Sequence, residues 1–226
     1  MMENSCTVCT YKSNAAKTLG EQDQELLSCN HLLVHFKKGD PVIRQGHYSS
    51  NIMYLRKGLA KIHIQGPYRE QIIKIVKAPR YLGLPTTFGD KINQYSVTVI
   101  EDAEVCFIDM QVFMKLLANN HEFSHDIILN LCRYELDSFR RCAQRTQKQT
   151  RGNIADVLLD FADYFYNSDT FHLPITRDEF GTLIDTSREN VSRALTEFAN
   201  DKIIRIKGRE IEILNKKSLK QISEKG

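Results

Sequence analysis

The segment from Ile175 to Leu195 constrains the fold more than any other, because it spells two short helices joined by a tight turn. Thr176 and Glu179 stand at the spacing of a capping box, where each side chain satisfies the other residue's free backbone N–H at a helix start. Phe180, Leu183 and Ile184 then supply an apolar face. Asp185 and Thr186 interrupt the pattern, and Thr186 or Ser187 is placed to cap a second helix. Val191, Leu195 and Phe198 turn inward from that helix, while Arg188, Glu189, Ser192 and Arg193 occupy its opposite face. Arginine grips guanine bidentately, glutamate accepts from the cytosine amine, and serine serves either role. A lone amphipathic helix with such a face would be ordinary surface. A capped pair leading into a hairpin is a DNA-reading pattern.

The hairpin is Ile203–Leu214, two β-branched runs around Lys207-Gly208-Arg209, which predicts a two-stranded wing. From Thr176 to Leu214 the sequence resembles the winged helix-turn-helix of the CRP/FNR family of transcription regulators. Arg188, Glu189 and Arg193 match the recognition helix of its cAMP-binding members, and Glu189, Ser192 and Arg193 that of its oxygen regulators. The resemblance implies a DNA interface of Thr176, Arg177, Ser187, Arg188, Glu189, Asn190, Ser192, Arg193, Lys207 and Arg209. It also implies a palindromic operator with half-sites like the family's TGTGA or TTGAT cores, and RNA polymerase as a further partner.

A chain of 226 residues has room for one large domain or two modest ones. It has no apolar run of membrane-spanning length and no signal pattern, so the expected location is the cytoplasm of a bacterium. Six cysteines in a chain this long suggest cytosolic thiols or metal ligands rather than a disulfide scaffold. The net charge of +3 alone indicates nothing about nucleic acid. Its clustering is more telling: Arg140, Arg141, Arg145, Lys148 and Arg151 precede the helix pair, and Lys202, Arg205, Lys207 and Arg209 lie at the wing, both suited to phosphate.

The predicted class is α+β. Residues 1–30 read as an N-terminal arm with a helix near Glu21–Ser28. Residues 31–118 read as a glycine-punctuated β-roll, in which Phe36–Asp40 and Met53–Gly58 resemble the opening strands of the family's cyclic-nucleotide-binding-like sensor. Residues 119–151 read as one helix without proline or glycine, and 152–226 as the winged helix-turn-helix. On the helix, Leu129, Cys132, Leu136, Phe139 and Ala143 step by three and four like a coiled-coil seam. Phe123, Ile127 and Leu131 form a second edge for the roll. The reading is therefore a homodimer, with the hinge near Thr150–Asn153 at Gly152.

Three alternatives concern the input and a fourth a different activity. Cyclic-nucleotide-binding relatives hold ribose with a glutamate and phosphate with an arginine. Here Gly83-Leu84-Pro85 and Tyr95-Ser96 stand at those places, and Ser138-Phe139 at the base-contacting pair on the long helix. Leucine accepts no hydrogen bond and tyrosine carries no cation, so the effector is expected not to be cAMP and is unidentified. Cys6, Cys9 and Cys106 resemble three ligands of the family's [4Fe–4S] regulators. Ala15 or Ala16 stands where the next arm cysteine belongs, with only the distant Cys29 to replace it. His121, Glu122 and His125 match the H-E-x-x-H pattern of zinc peptidases without that family's further ligand, which leaves a chance match on a helix surface as the preferred reading. His31, His35, His47 and His63 are haem-ligand candidates without a motif.

Overall fold

Period-two alternation in one strand explains how the N-terminal half is layered. In the computed structural model, which describes residues 6–226, Ile52 and Tyr54 point to one hydrophobic cluster and Met53 and Leu55 to another. A sheet strand sends successive side chains to opposite faces, so this strand lies between two cores. The chain clusters into two units, through Leu136 and from Asp137 onward.

The first unit runs α1 (Asn14–Lys17), α2 (Glu21–Cys29), β1 (His31–Phe36), β2 (Pro41–Ile43), β3 (Asn51–Lys57), β4 (Leu59–Gln65), β5 (Glu70–Lys77) and β6 (Arg80–Leu82). After these come α3 (Leu84–Phe88), β7 (Ser96–Val99), β8 (Ala103–Asp109), α4 (Met110–Asn119) and α5 (His121–Gln147), which continues into the second unit. The strands form two antiparallel four-stranded sheets, ordered β1-β8-β3-β6 and β2-β7-β4-β5. One core gathers Leu55, Ile62, Val76, Val97, Val99 and Val105 from both sheets. A second core covers the outer face of the first sheet with Leu19 and Leu27 of the arm, Phe113 of α4, and Phe123 and Ile127 of α5. Leu131 packs on its edge, so the predicted second stripe of α5 does meet the roll.

The second unit comprises the end of α5 with α6 (Thr150–Leu159), β9 (Thr170–His172), α7 (Arg177–Ile184), α8 (Arg188–Asn200), β10 (Ile204–Lys207), β11 (Glu210–Ile213) and α9 (Lys216–Lys225). A π-helical turn, Asp160–Tyr166, prolongs α6. The long helix read as reaching Arg151 stops at Gln147, and α6 begins at Thr150. Gly152 is therefore not the flexible joint expected of it. It is buried inside α6, where a Cβ would lie 2.9 Å from the backbone of Gly226. Its role is close packing of α6 on the chain that ends α9. No described helix is long and apolar enough to cross a membrane.

Candidate nucleic-acid interface

Local capping chemistry sets the geometry of α7 and α8. Thr176 Oγ1 accepts from the Glu179 N–H at 3.1 Å, and the Glu179 carboxylate accepts from the Thr176 N–H at 2.7 Å. Asp185 takes a left-handed conformation with φ 60°, which ends α7 and turns the chain. Ser187, rather than Thr186, caps α8 by accepting from the Asn190 N–H at 3.2 Å. Gly181 carries no local signal in the sequence, yet a Cβ there would sit 2.6 Å from the Thr186 carbonyl oxygen. Only a glycine lets α7 approach the turn this closely. The inner faces bury Phe180, Leu183 and Ile184 of α7 against Val191, Leu195 and Phe198 of α8.

Burial of that face turns Arg188, Glu189 and Arg193 to solvent and leaves Ser192 and Asn190 half-buried beside them. Arg188 lies 3.9 Å from Asp178 of α7, a loose pair between exposed side chains. Glu189 is held below the usual carboxylate range by its own backbone N–H, then by the Ser187 hydroxyl and the Arg188 charge. It is thus an anion throughout the neutral range. Arg193 donates to Asn190 Oδ1 at 2.6 Å, and Asn190 Nδ2 donates to Thr186 Oγ1 at 3.1 Å.

The wing is β10 and β11 in antiparallel register, with Lys207 opposite Glu210 and Gly208 at φ 65° in the turn. Positive φ costs glycine little, so the two-residue turn forms without strain. β9, unforeseen in the sequence, pairs with β11 through Phe171 and Ile211 and makes the wing three-stranded. Thr176, Arg177 and Arg188 line one cleft with Gly208 and Arg209 of the wing, so the predicted contacts of helix and wing converge. Lys207 and Arg209 are exposed at its tip, whereas Arg205 is tied to Glu212 at 2.5 Å.

The other basic cluster is engaged within its own unit. Arg140 and Arg141 pair with Asp137, Arg141 also with Asp160, Lys148 with Asp156, and Arg151 with Glu197 and Asp201. Those cations brace helices, and their charge is largely compensated before any phosphate arrives.

The sensor residues follow a different logic from the one their sequence positions suggest. Leu84 is buried in the outer core, Pro85 is exposed at the start of α3, and Gly83 caps that helix in a left-handed conformation. Thr86 and Thr87 both donate to the Gly83 carbonyl at 2.9 Å, while Ser49 bonds Thr87 at 2.6 Å and Thr86 bonds Asn93 at 3.2 Å. Tyr95 packs on the inner core with its hydroxyl bonded to the Gly83 backbone, and burial pushes that phenol up. Ser96 Oγ accepts from the Gln45 N–H at 3.0 Å. Each polar group is thus satisfied by the roll itself. A cation overlooked in the sequence, Arg80, lies close enough to influence Tyr95, but its guanidinium stacks 3.5 Å from the Tyr134 ring centroid. Ser138 and Phe139 lie on α5, where Phe139 is exposed.

Cys6, Cys9 and Cys106 line one cavity of about 40 Å³ between arm and roll. Cys29 is exposed and borders a separate groove. Burial pushes the Cys106 thiol up to about 12 and raises Cys6 as well, so both are neutral thiols. A four-thiolate cluster does not fit this donor set, since the fourth thiol is elsewhere. Among the described residues, no three His, Cys, Asp or Glu side chains are grouped to hold a metal ion, and that covers His121, Glu122 and His125. His63 bonds Glu70 at 2.8 Å and Thr98 at 2.9 Å through its two ring nitrogens, which removes it as a free haem ligand.

Comparison with known proteins agrees with this architecture. A cyclic nucleotide-binding domain matches residues 33–120, and a Crp-like helix-turn-helix domain matches residues 153–222. The chain belongs to the CRP/FNR family. Among its family relatives is a CRP-like cAMP-activated global transcriptional regulator of Mycobacterium tuberculosis, 25% identical over 191 residues, which cover 82% of this chain and 85% of the relative. Another is the transcriptional activator protein FnrA of Stutzerimonas stutzeri, 25% identical over 79% of this chain and 75% of its own. The structure of FixK2 from Bradyrhizobium japonicum shares the CRP/FNR fold with a TM-score of 0.77, at 15% identity over 85% of this chain and 96% of the other. The chain is a CRP/FNR-type transcription regulator with a helix-turn-helix DNA-binding domain.

Proposed function

We propose that this regulator acts as a homodimer on a twofold-symmetric operator, is not an enzyme, and responds to an effector other than cAMP. The exposed polar face of α8 carries the DNA reading, because it sets Arg188, Glu189 and Arg193 beside Ser192 at one helix surface. Those four are assigned to base edges in the major groove. Thr176, Arg177, Ser187, Asn190, Lys207 and Arg209 are assigned to fixing the protein on the phosphate backbone. RNA polymerase is the partner through which such a regulator acts, and the cytoplasm is where it meets both.

Dimerisation is supported by the surface of α5. Leu136 is 65% exposed and Phe139 62%, with Cys132 and Ala143 exposed and Leu129 half-buried on the same stripe. Large apolar side chains in a row at coiled-coil spacing gain by facing a second copy. Two copies then present two recognition helices to half-sites about one helical turn apart. Selection from random DNA with the full-length protein tests this reading. The expected result is an inverted repeat, and enrichment of no twofold motif would sink it.

A further inference from the structure

We infer that Asp178 is a specificity-determining residue of the DNA interface: its carboxylate competes with phosphate for the Arg188 guanidinium, so that Arg188 engages fully only at a guanine edge. Among the described residues that line the cleft between α7, α8 and the wing, Arg177, Arg188 and Arg209 are cations and Asp178 is the one acid. A surface that had only to attract DNA would gain nothing from a carboxylate there, because every phosphate repels it. The inference rests on the assignment of Arg188 to a base edge and adds the residue that restrains it.

Building α7 does not require this aspartate. The start of the helix is already closed by the capping box of Thr176 and Glu179, and Glu179 supplies an anion to the positive end of the helix dipole. The Asp178 side chain is instead exposed to the cleft, with Oδ2 lying 3.9 Å from Nη1 of Arg188. Arg188 is exposed as well, so the two charges meet in solvent at the mouth of the DNA-facing surface.

An exposed pair of this kind is weak and screened by salt. That weakness suits the role. On an arbitrary sequence Arg188 has only a charge contact with phosphate to gain, and the Asp178 carboxylate opposes it twice, by holding the guanidinium and by repelling the phosphate. At a guanine the same guanidinium makes two hydrogen bonds, to O6 and N7, which outweigh so loose an ion pair. The cost of Asp178 therefore falls mainly on wrong DNA, and discrimination is the difference between the two affinities.

The test uses the full-length protein and two duplexes of equal length, the operator recovered by selection and a scrambled sequence, titrated by fluorescence anisotropy over a series of KCl concentrations. Asp178→Asn should tighten scrambled DNA about three- to fivefold for each bound subunit, the upper span of an exposed ion pair, with a much smaller gain on the operator. The salt slope on scrambled DNA should steepen by about 0.9 for each Arg188 freed to meet a phosphate. In an Arg188→Ala background the same change should leave the operator-to-scrambled ratio where it was, which separates restraint of Arg188 from simple removal of a charge. Asp178→Ser is the second variant, read in the same way, and thermal melting checks that both fold. A ratio left unchanged by Asp178→Asn, a change in ratio that persists without Arg188, or lost operator affinity with no gain on scrambled DNA would overturn the inference. Those outcomes leave the operator standing; selection that enriched no motif would instead remove the base assignment of Arg188, and this inference with it.

Discussion

The Arg193 guanidinium donates a 2.6 Å hydrogen bond to the side-chain oxygen of Asn190, whose amide in turn holds Thr186 in the helix-turn-helix turn. One chain of bonds therefore links the turn to the side chain assigned to a base. Arg193→Ala should weaken binding to the selected operator by about 1–3 kcal/mol and relax preference at one base pair. Asn190→Ala should leave the guanidinium in place but less oriented, with a smaller loss. Fluorescence anisotropy on a panel of single-base operator variants would measure both. Equal losses on every sequence would instead make Arg193 a phosphate contact.

Gly181 offers a stability prediction. A Cβ at this position would be 2.6 Å from backbone rather than from a flexible side-chain end, so α7 or the turn must move. Alanine gains up to about 1 kcal/mol of helix propensity over glycine. Overpacking typically costs about 1–3 kcal/mol, and Gly181→Val adds bulk without alanine's propensity. Urea unfolding should show Gly181→Val destabilised by roughly 2 kcal/mol or more, with Gly181→Ala between it and wild type. A valine variant as stable as wild type would mean that the turn yields freely.

The parts of this fold that could be read from sequence are those encoded by neighbouring residues. The Thr176–Glu179 box, the stop at Asp185 and the Gly208 turn each depend on a few adjacent positions, and the structure has them in place. β9 was missed because a three-residue strand is specified by its pairing with Ile211, forty residues on, and not by its own pattern. The break after Gln147 involves no proline or glycine, and helical periodicity runs straight through it. The packing role of Gly152 is invisible locally because its partner, Gly226, lies at the far end of the sequence. The candidate sensor was legible only as substitutions at Leu84 and Tyr95. That Tyr95 bonds the Gly83 backbone and that Arg80 reaches it are tertiary facts.

Assembly should be sensitive to a single charge on α5. Leu136 is 65% exposed in one copy, so Leu136→Glu costs the isolated chain little. In a dimer the same carboxylate would meet its symmetry mate in an apolar seam, where an unpaired charge is heavily penalised. Sedimentation velocity at micromolar concentration should give a dimer for wild type and a monomer for Leu136→Glu, with operator affinity falling in parallel. A monomeric wild type would remove the seam from this account.

Cyclic AMP should not switch operator binding. Its phosphate would have to leave water for a site where Tyr95 is already bonded to Gly83 and the threonines of α3 already donate to the Gly83 carbonyl. Leu84, turned into the outer core, offers the ribose no acceptor. Among the described residues Arg80 is the cation whose charge acts on Tyr95, and recruiting it would mean stripping it from the Tyr134 ring. A stacked cation of this kind contributes about 0.5–2 kcal/mol, a cost the ligand would have to offset before gaining affinity. Even then, a ligand shifts a population only by its differential affinity for the two states. Calorimetry with cAMP, paired with operator titrations with and without it, should show weak or absent binding and an unchanged operator affinity. Micromolar binding that tightens DNA affinity, and disappears in Arg80→Ala, would show that Arg80 supplies the phosphate contact after all.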